Sequence, residues 1–380
     1  MHILIAPNAF KNSLSATDAA RAIEAGLQQS KLNCTTTCFP IADGGDGTGP
    51  LIVEKCGGRI VKKEVHDPLG RLITSQFGVI DDGKTAVIEM ADASGLRLLK
   101  KQELNPLQAS SYGTGELIKY ALDEGVNKIL IAMGGSATVD GGCGILSALG
   151  ISFFNEQDEL LRPVPQDLLE LAKIDNTQLD KRIGACELFV LCDVNNKLLG
   201  LQGSAAVFGP QKGASANDVL KLDDFLSRLD EVGWNQTGKR LSDLKYGGTA
   251  GGAAAGLSGF LNAKLVNGIE YFLKVTGFAD ELQKADLLIT GEGSIDNQTL
   301  QGKGPFGVAS AAKLKNIPVI GLAGKVPLKP DPELLQYFDV LMAIANEPAD
   351  LGEAMRNAGK NLTRTSKMIG DLLHFASQNH

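Results

Sequence analysis

The chain has 380 residues, 43% hydrophobic and 21% charged, enough for two domains of ordinary size with cores that need no staples. Lys and Arg number 37 against 44 Asp and Glu, a net charge of −7, which argues against nucleic acid or an anionic membrane as the main partner. Six cysteines without a CxxC pair, and only four histidines, leave no zinc-ligand spacing.

The chain starts MHILIAPNAFKNS, with no basic segment ahead of a long apolar stretch, so it does not read as a secretory signal. Its first apolar run, HILIAP, has the length of a buried parallel strand. A helix follows from about Ser15. Ser15 and Asp18 form a capping pair, and Ala16, Ala20, Ile23 and Leu27 make one apolar stripe. TTTCFPIA is a second strand. The loop ADGGDG leads into a helix, TGPLIVEKC, that Gly57 and Gly58 stop.

The texture changes near residue 63. Strands joined by DPLG and DDG turns read as antiparallel. The helix GELIKYALDE ends at Gly125 and leads to the strand KILIAM, with ISFF and ELFVLCDV further on. Alternation returns in ADLLITG (strand), VASAAKLK (helix), IPVIGLAG (strand), YFDVLMAIA (strand) and a helical end. The economical assembly is an α/β fold. Residues 1–62 and 280–380 form a discontinuous, doubly wound parallel sheet domain, and residues 63–279 form a second α/β domain inserted into it. No run reaches the ~18 apolar residues of a membrane span. The expected compartment is the cytoplasm, with reduced thiols.

Ligands of open parallel sheets bind at the carboxyl ends of the strands. The loops expected there are Asn8-Ala9-Phe10-Lys11, then Asp43-Gly44-Gly45-Asp46-Gly47, then Glu292-Gly293-Ser294-Ile295-Asp296 with Lys303 close behind. The inserted domain adds Gly134-Gly135-Ser136-Ala137-Thr138-Val139-Asp140-Gly141-Gly142 after KILIAM, Asp193 after ELFVLC, and Gln211-Lys212-Gly213. Glycine nests and helix N-termini bind phosphate, and a neighbouring carboxylate can hold Mg²⁺. Lysines for charge, an acid for metal and a base near a hydroxyl are the parts of phosphoryl transfer.

Plainer readings stand beside each of these. Gly44 and Gly45 could be turn glycines, Ser136 and Thr138 a helix cap, Asp140 a cap of the helix it precedes, and Lys11, Lys212 and Lys303 surface lysines. Asp193 ends an apolar strand, where an acid is costly unless it caps a loop or faces a ligand. Glycines 247–256 read as close helix packing. There is no GxxxxGK[ST], so the chain is not a P-loop protein. GKGPFG at 302–307 matches the dinucleotide fingerprint but does not follow a strand directly.

Taken in order, the strings APNAFKNSLSA, PIADGGDGT, DPLGR, GKTAVIEMA, SYGTGELI, GGSATVDGG, CDVNNKLLG, FGPQKGA and LLITGEGSIDNQTLQGK strongly resemble the type I glycerate kinase family. They span almost the whole chain. The resemblance implies a flavodoxin-like domain with a second α/β domain inserted. It also implies ATP- and Mg²⁺-dependent phosphorylation of D-glycerate, in many such kinases to 2-phosphoglycerate, in the breakdown of sugar acids or glyoxylate. The chain departs from the family pattern in Asn8-Ala9 for a usual Asp-Ser, Val139 for Asn, and Lys197 for Pro.

On this reading ATP and glycerate meet in the cleft between the two domains. Gly134, Gly135, Ser136, Ala137, Thr138, Asp140 and Lys303 are expected at the nucleotide, and Phe10, Asp43, Gly44, Gly45, Glu292 and Asp296 at the substrate. Lys11 and Lys212 would neutralise charge on phosphate or on the substrate carboxylate. Asp193 is the leading candidate for accepting the hydroxyl proton or holding Mg²⁺, with Asp43, Glu292 and Asp296 the others and Asp296 the second metal candidate. The expected partner is a small molecule, with no nucleic acid and no membrane; a homo-oligomer stays open. Two other readings remain: a non-catalytic sugar-acid sensor on a kinase fold, and a nicotinamide-dependent hydroxy-acid oxidoreductase.

Overall fold

The computed structural model describes residues 1–378. In chain order the strands are β1 (His2–Ile5), β2 (Thr35–Cys38), β3 (Arg59–His66), β4 (Leu72–Ile80), β5 (Thr85–Glu89), β6 (Lys128–Ala132) and β7 (Ser152–Phe154). Then come β8 (Lys173–Asp175), β9 (Glu187–Cys192), β10 (Lys264–Asn267), β11 (Leu287–Ser294), β12 (Val319–Lys325) and β13 (Val340–Ala343). The chain divides into two compact units, Met1–Asp43 with Ile269–His380, and Gly44–Gly268.

The first unit is a five-stranded sheet in the order β13-β12-β11-β1-β2, parallel throughout. Ile3, Leu4 and Ile5 of β1 are fully buried, as a central parallel strand covered on both faces requires. The helix Ala16–Gln28 forms because Ser15 caps it, its hydroxyl accepting from Asp18 N, and it buries Ala16, Ala19, Ala20, Ile23 and Leu27. It packs on the C-terminal helix Ala358–Ser377, which buries Leu362 and Ile369 in the same core. From β1 the chain moves to β2 on one side, then returns as β11 on the other. The direction of winding therefore reverses between β1 and β11.

The second unit holds a six-stranded mixed sheet in the order β10-β9-β6-β5-β4-β3. The antiparallel meander β3-β4-β5 is the region expected to read that way, and β5, β6, β9 and β10 continue in parallel. A small hairpin, β7-β8, stands apart from it.

Both domain boundaries lie earlier than the sequence reading placed them, at 43/44 and 268/269 rather than 62/63 and 279/280. The helix Thr48–Lys55 belongs to the second unit because Glu89 of β5 accepts from Gly47 N and Gly49 N at its start, and Val53 packs into the space left by Gly78 of β4. At the other boundary, Ile269 packs against Gly307, and Phe278 meets Phe39 edge-on at 5.2 Å, both in the first unit.

The reading along the chain missed the longest helix, Ala216–Thr237. Its signals are a capping box at Ser215 and Asp218 and a buried stripe of Leu222, Phe225, Leu226 and Leu229. The helix Ala253–Leu261 carries the close glycine packing expected of this stretch. A side chain at Gly251 (φ +69°) or Gly256 would run into the backbone of the 138–141 loop.

Candidate active site

In the first unit the strand ends assemble an acidic crevice. Beyond β1, Asn8 N donates to Gly291 O of β11 at 2.8 Å, and Asn8 Nδ2 donates to Asp43 Oδ2 at 2.9 Å. Asp43 also receives Gly304 N, at 3.1 Å, from the start of the helix Gly304–Lys313. Two donors, one of them at a helix N-terminus, thus fix the orientation of the Asp43 carboxylate.

Glu292 stands near the end of β11 and is 8% exposed. Its Oε1 accepts from the Thr299 hydroxyl at 3.0 Å. Burial pushes its pKa up to about 7; Lys303 opposes that shift, and Asp43 and Asp296 add to it. Asp296 behaves differently, folding back on its own loop: Oδ1 accepts from Gln298 N at 2.9 Å and Oδ2 from the Ser294 hydroxyl at 3.2 Å.

Lys303 takes the N-cap position of the helix Gly304–Lys313, its charge felt at Glu292. The GKGPFG string thus starts after the short turn Thr299–Gln301 rather than at a strand end, unlike a dinucleotide fingerprint. Lys11 is exposed, whereas Phe10 is buried in the core of the unit. The ring of Phe10 therefore holds its loop down in the core of the unit.

In the second unit the loop after β6 forms a buried cradle. Gly134 lies so close to the 45–46 backbone that a Cβ there would overlap it, and Met133 N and Gly134 N both donate to Gly44 O at 3.1 Å. Gly44 N in turn donates to the Thr48 hydroxyl at 3.1 Å. Ala137 N is taken by Ser94 O. The amides of Gly134 and Ala137 are thus committed to the fold, and Gly44 and Gly45 serve the close approach.

Lys212 is 2% exposed. Its Nζ donates to Ser136 Oγ at 2.9 Å and to Thr138 O at 2.6 Å. Burial lowers its pKa to about 7, against the opposing influence of Asp140 and Asp193. Thr138, whose carbonyl takes that amine, has a fully buried hydroxyl with no hydrogen-bond partner. A buried amine and an orphaned buried hydroxyl on the loop it bonds are groups an anion would satisfy.

Asp140 has the opposite character. Its carboxylate collects Ser111 N and Ser111 Oγ, each at 2.7 Å, Gly144 N at 3.2 Å and Gly142 N at 3.1 Å. Every donor comes from the protein, so Asp140 fixes the loop and the helix Cys143–Ala148 behind it, the capping role among its two readings. Val139 is fully buried in the core of the unit, which explains an apolar side chain there. Asp193 follows β9, half-buried.

One acid escaped the sequence reading although its string, GKTAVIEMA, was noted. Glu89 is 2% exposed and accepts from Gly47 N at 2.6 Å and Gly49 N at 3.0 Å. Burial first, then Asp46, pushes its pKa up to about 7. Asp46 also pairs with Arg97 at 3.0 Å, and Arg97 with Asp92. An acid closing the apolar run Ala86-Val87-Ile88 is the available signal.

This architecture recurs among known proteins. A sequence model of the Glycerate kinase family matches residues 3–374. The chain belongs to that family. It is 42% identical over 376 residues to the glycerate kinase of Bacillus subtilis (strain 168), covering 99% of this chain and 98% of that one. It is 39% identical over 379 residues to the glycerate 2-kinase of Escherichia coli (strain K12), with both chains fully covered. A crystal structure from Salmonella typhimurium LT2, provisionally assigned as glycerate kinase 2, superposes with a TM-score of 0.83 at 42% identity, covering 100% of this chain and 99% of that one. The fold is therefore the flavodoxin-like domain with an inserted α/β domain. The protein is a kinase, which displaces the sensor and oxidoreductase readings.

Proposed function

We propose that the chain transfers the γ-phosphoryl group of ATP to D-glycerate, giving 2-phosphoglycerate, as one step in the breakdown of sugar acids. The observation that carries this reading is the buried cradle of Ser136, Thr138 and Lys212, with its orphaned hydroxyl. The names of relatives from Bacillus subtilis and Escherichia coli support glycerate as acceptor, and the latter supports the 2-position.

The roles follow from the chemistry of each group. Lys212 supplies positive charge in a site closed to water, where it is worth far more than at the surface. Ser136 and Thr138 offer hydroxyls to phosphate oxygens. Lys11 and Lys303 supply further charge at the ends of β1 and β11. Asp43, held by Asn8 and Gly304, provides a fixed acceptor for a substrate hydroxyl.

Among the described residues no group of three or more His, Cys, Asp or Glu side chains is arranged to hold a metal. Mg²⁺ bound with nucleotide needs only one or two carboxylates besides phosphate oxygens, and hard carboxylate oxygen suits it. Asp193, whose charge reaches the buried amine of Lys212, is the carboxylate we assign to it. When bound, Mg²⁺ neutralises charge on the phosphate oxygens.

No helix among the described residues is long and apolar enough to cross a membrane. The six cysteines carry thiols, as a reducing cytoplasm would keep them.

The test is ATP consumption with D-glycerate and Mg²⁺, with the product identified by phosphorus NMR. Turnover to 2-phosphoglycerate is expected. A 3-phosphoglycerate product would overturn the position, and no turnover would overturn the substrate.

A further inference from the structure

We propose that Glu292 is the group that accepts the proton of the acceptor hydroxyl. The inference rests on the glycerate kinase reading above and names the residue that performs its proton step.

Topology comes first. In an open parallel sheet, ligands bind outside the carboxyl ends of the strands where the winding reverses. In the first unit that point lies between β1 and β11. Asn8 leaves β1 there, its N–H bonded to Gly291 O, and Glu292 is the next residue on β11. Glu292 is thus the acid carried by a strand flanking the reversal, and a strand holds a side chain more rigidly than a loop.

The second argument compares the acids of the crevice. Asp43 has two donors, Asn8 Nδ2 and Gly304 N, both on its Oδ2. Asp296 has two donors from its own loop. Glu292 takes only one hydrogen bond among the described residues, from the Thr299 hydroxyl, which itself accepts from Asp296 N at 3.1 Å. One oxygen of Glu292 is therefore oriented and the other is available. The charged groups facing it are Asp43 from the end of β2, Asp296 from its own loop and Lys303 from the following helix. Lys11 beyond β1 and Lys325 at the end of β12 are exposed.

A general base works best when its proton affinity matches the operating pH. Where the environments of neighbouring acids push them apart, the one raised toward neutrality is the proton carrier. Here that acid is Glu292, pushed up to about 7 by burial. In the step, the hydroxyl O–H bond breaks and its proton passes to the Glu292 carboxylate. The oxygen bonds to the γ-phosphorus of ATP, and the bond from that phosphorus to the β,γ-bridging oxygen breaks, releasing ADP. Glu292 then returns its proton to water.

The sign of the pH dependence follows. The base must be ionised, so kcat/KM should rise with pH and level off above about 7. The γ-phosphate of ATP titrates nearby, near about 6, so the variants are compared at saturating Mg²⁺ and a fixed concentration of the Mg²⁺ complex. Glu292→Gln keeps the size of the side chain and an oxygen for Thr299. It should lower kcat at pH 8 by about a hundredfold or more while the glycerate KM moves only a few-fold. Its residual activity should lose the rise with pH, whereas Glu292→Asp should keep that rise at reduced kcat.

Near-wild-type kcat in Glu292→Gln, or an unchanged rise with pH in that variant, would overturn the assignment. Should Glu292→Gln fail to fold, a flat profile in Glu292→Asp, or in the wild type, would overturn it equally. Wild type that makes phosphoglycerate beside an unaffected Glu292→Gln breaks only this assignment. Wild type that leaves glycerate untouched breaks the kinase reading and the assignment together.

Discussion

Asp140 of the second unit, in the loop after a parallel strand, and Glu292 of the first, near the end of one, are both carboxyls taken out of water. Burial raises the proton affinity of each. Asp140 is given four donors, all from its own surroundings, while Glu292 is given one. A buried anion with a full set of donors is a structural device, and removing it leaves those donors stranded. A buried acid with a single donor is costly to keep ionised and stays ready to exchange a proton. The number of donors, rather than burial, separates the acid that holds the fold from the acid placed for chemistry.

Lys212 tests that rule with the opposite charge and carries the largest expected effect. Its amine donates to two neutral acceptors, Ser136 Oγ and Thr138 O, so it resembles Glu292 more than the fully bonded Asp140. Lys212→Met should lower kcat/KM for ATP by about a thousandfold, the loss expected for a charge aimed at phosphate in a closed site. Thermal melting should stay level or rise, since the cost of burying an amine disappears. A variant that keeps activity within tenfold but melts earlier would place Lys212 with Asp140 as a structural group and break the comparison.

That rule could not be read along the chain, because donors arrive from distant positions. The strands, the alternation at both ends and the glycine loops were legible, since apolar runs and turn residues are local signals. GGSATVDGG announced a close-packed loop. It did not announce that Ser111, 29 residues earlier, would saturate Asp140, or that Lys212 would reach back 76 residues to Ser136. Phe10 looked like part of a ligand loop because of its neighbours, and only its burial shows that it anchors the loop. Glu89 was overlooked because its partners, Gly47 N and Gly49 N, lie about 40 residues back along the chain. The domain boundary moved for the same reason, since the helix Thr48–Lys55 follows its cap rather than its position in the chain.

Asp140→Asn comes next in expected size, and its effect should fall on stability. Three donors converge on Oδ2 and one on Oδ1, so a carboxamide must turn its NH₂ toward a donor. The expected loss is about 3 kcal/mol, the cost of breaking a buried charged network. Denaturant titration measures it, and kcat at low temperature should change little. A variant as stable as wild type but without turnover would make Asp140 a ligand group and reverse its place beside Glu292.

The smallest effect should also discriminate most finely. Thr138 Oγ1 is buried without a partner, so in the unliganded protein it costs free energy and returns none. Thr138→Val keeps the shape of the side chain and deletes only that hydroxyl. If the hydroxyl exists to meet a phosphate oxygen, the variant should gain about 1 kcal/mol of stability and lose about tenfold in ATP affinity, the exchange expected when an orphaned buried donor is removed along with its future partner. Paired measurements of denaturant midpoint and nucleotide affinity check both signs. A loss of stability would mean that the hydroxyl is satisfied in solution. Unchanged affinity would mean that nucleotide never reaches it. Opposed signs, gain in one and loss in the other, are what a group strained for function produces and a group placed for stability does not.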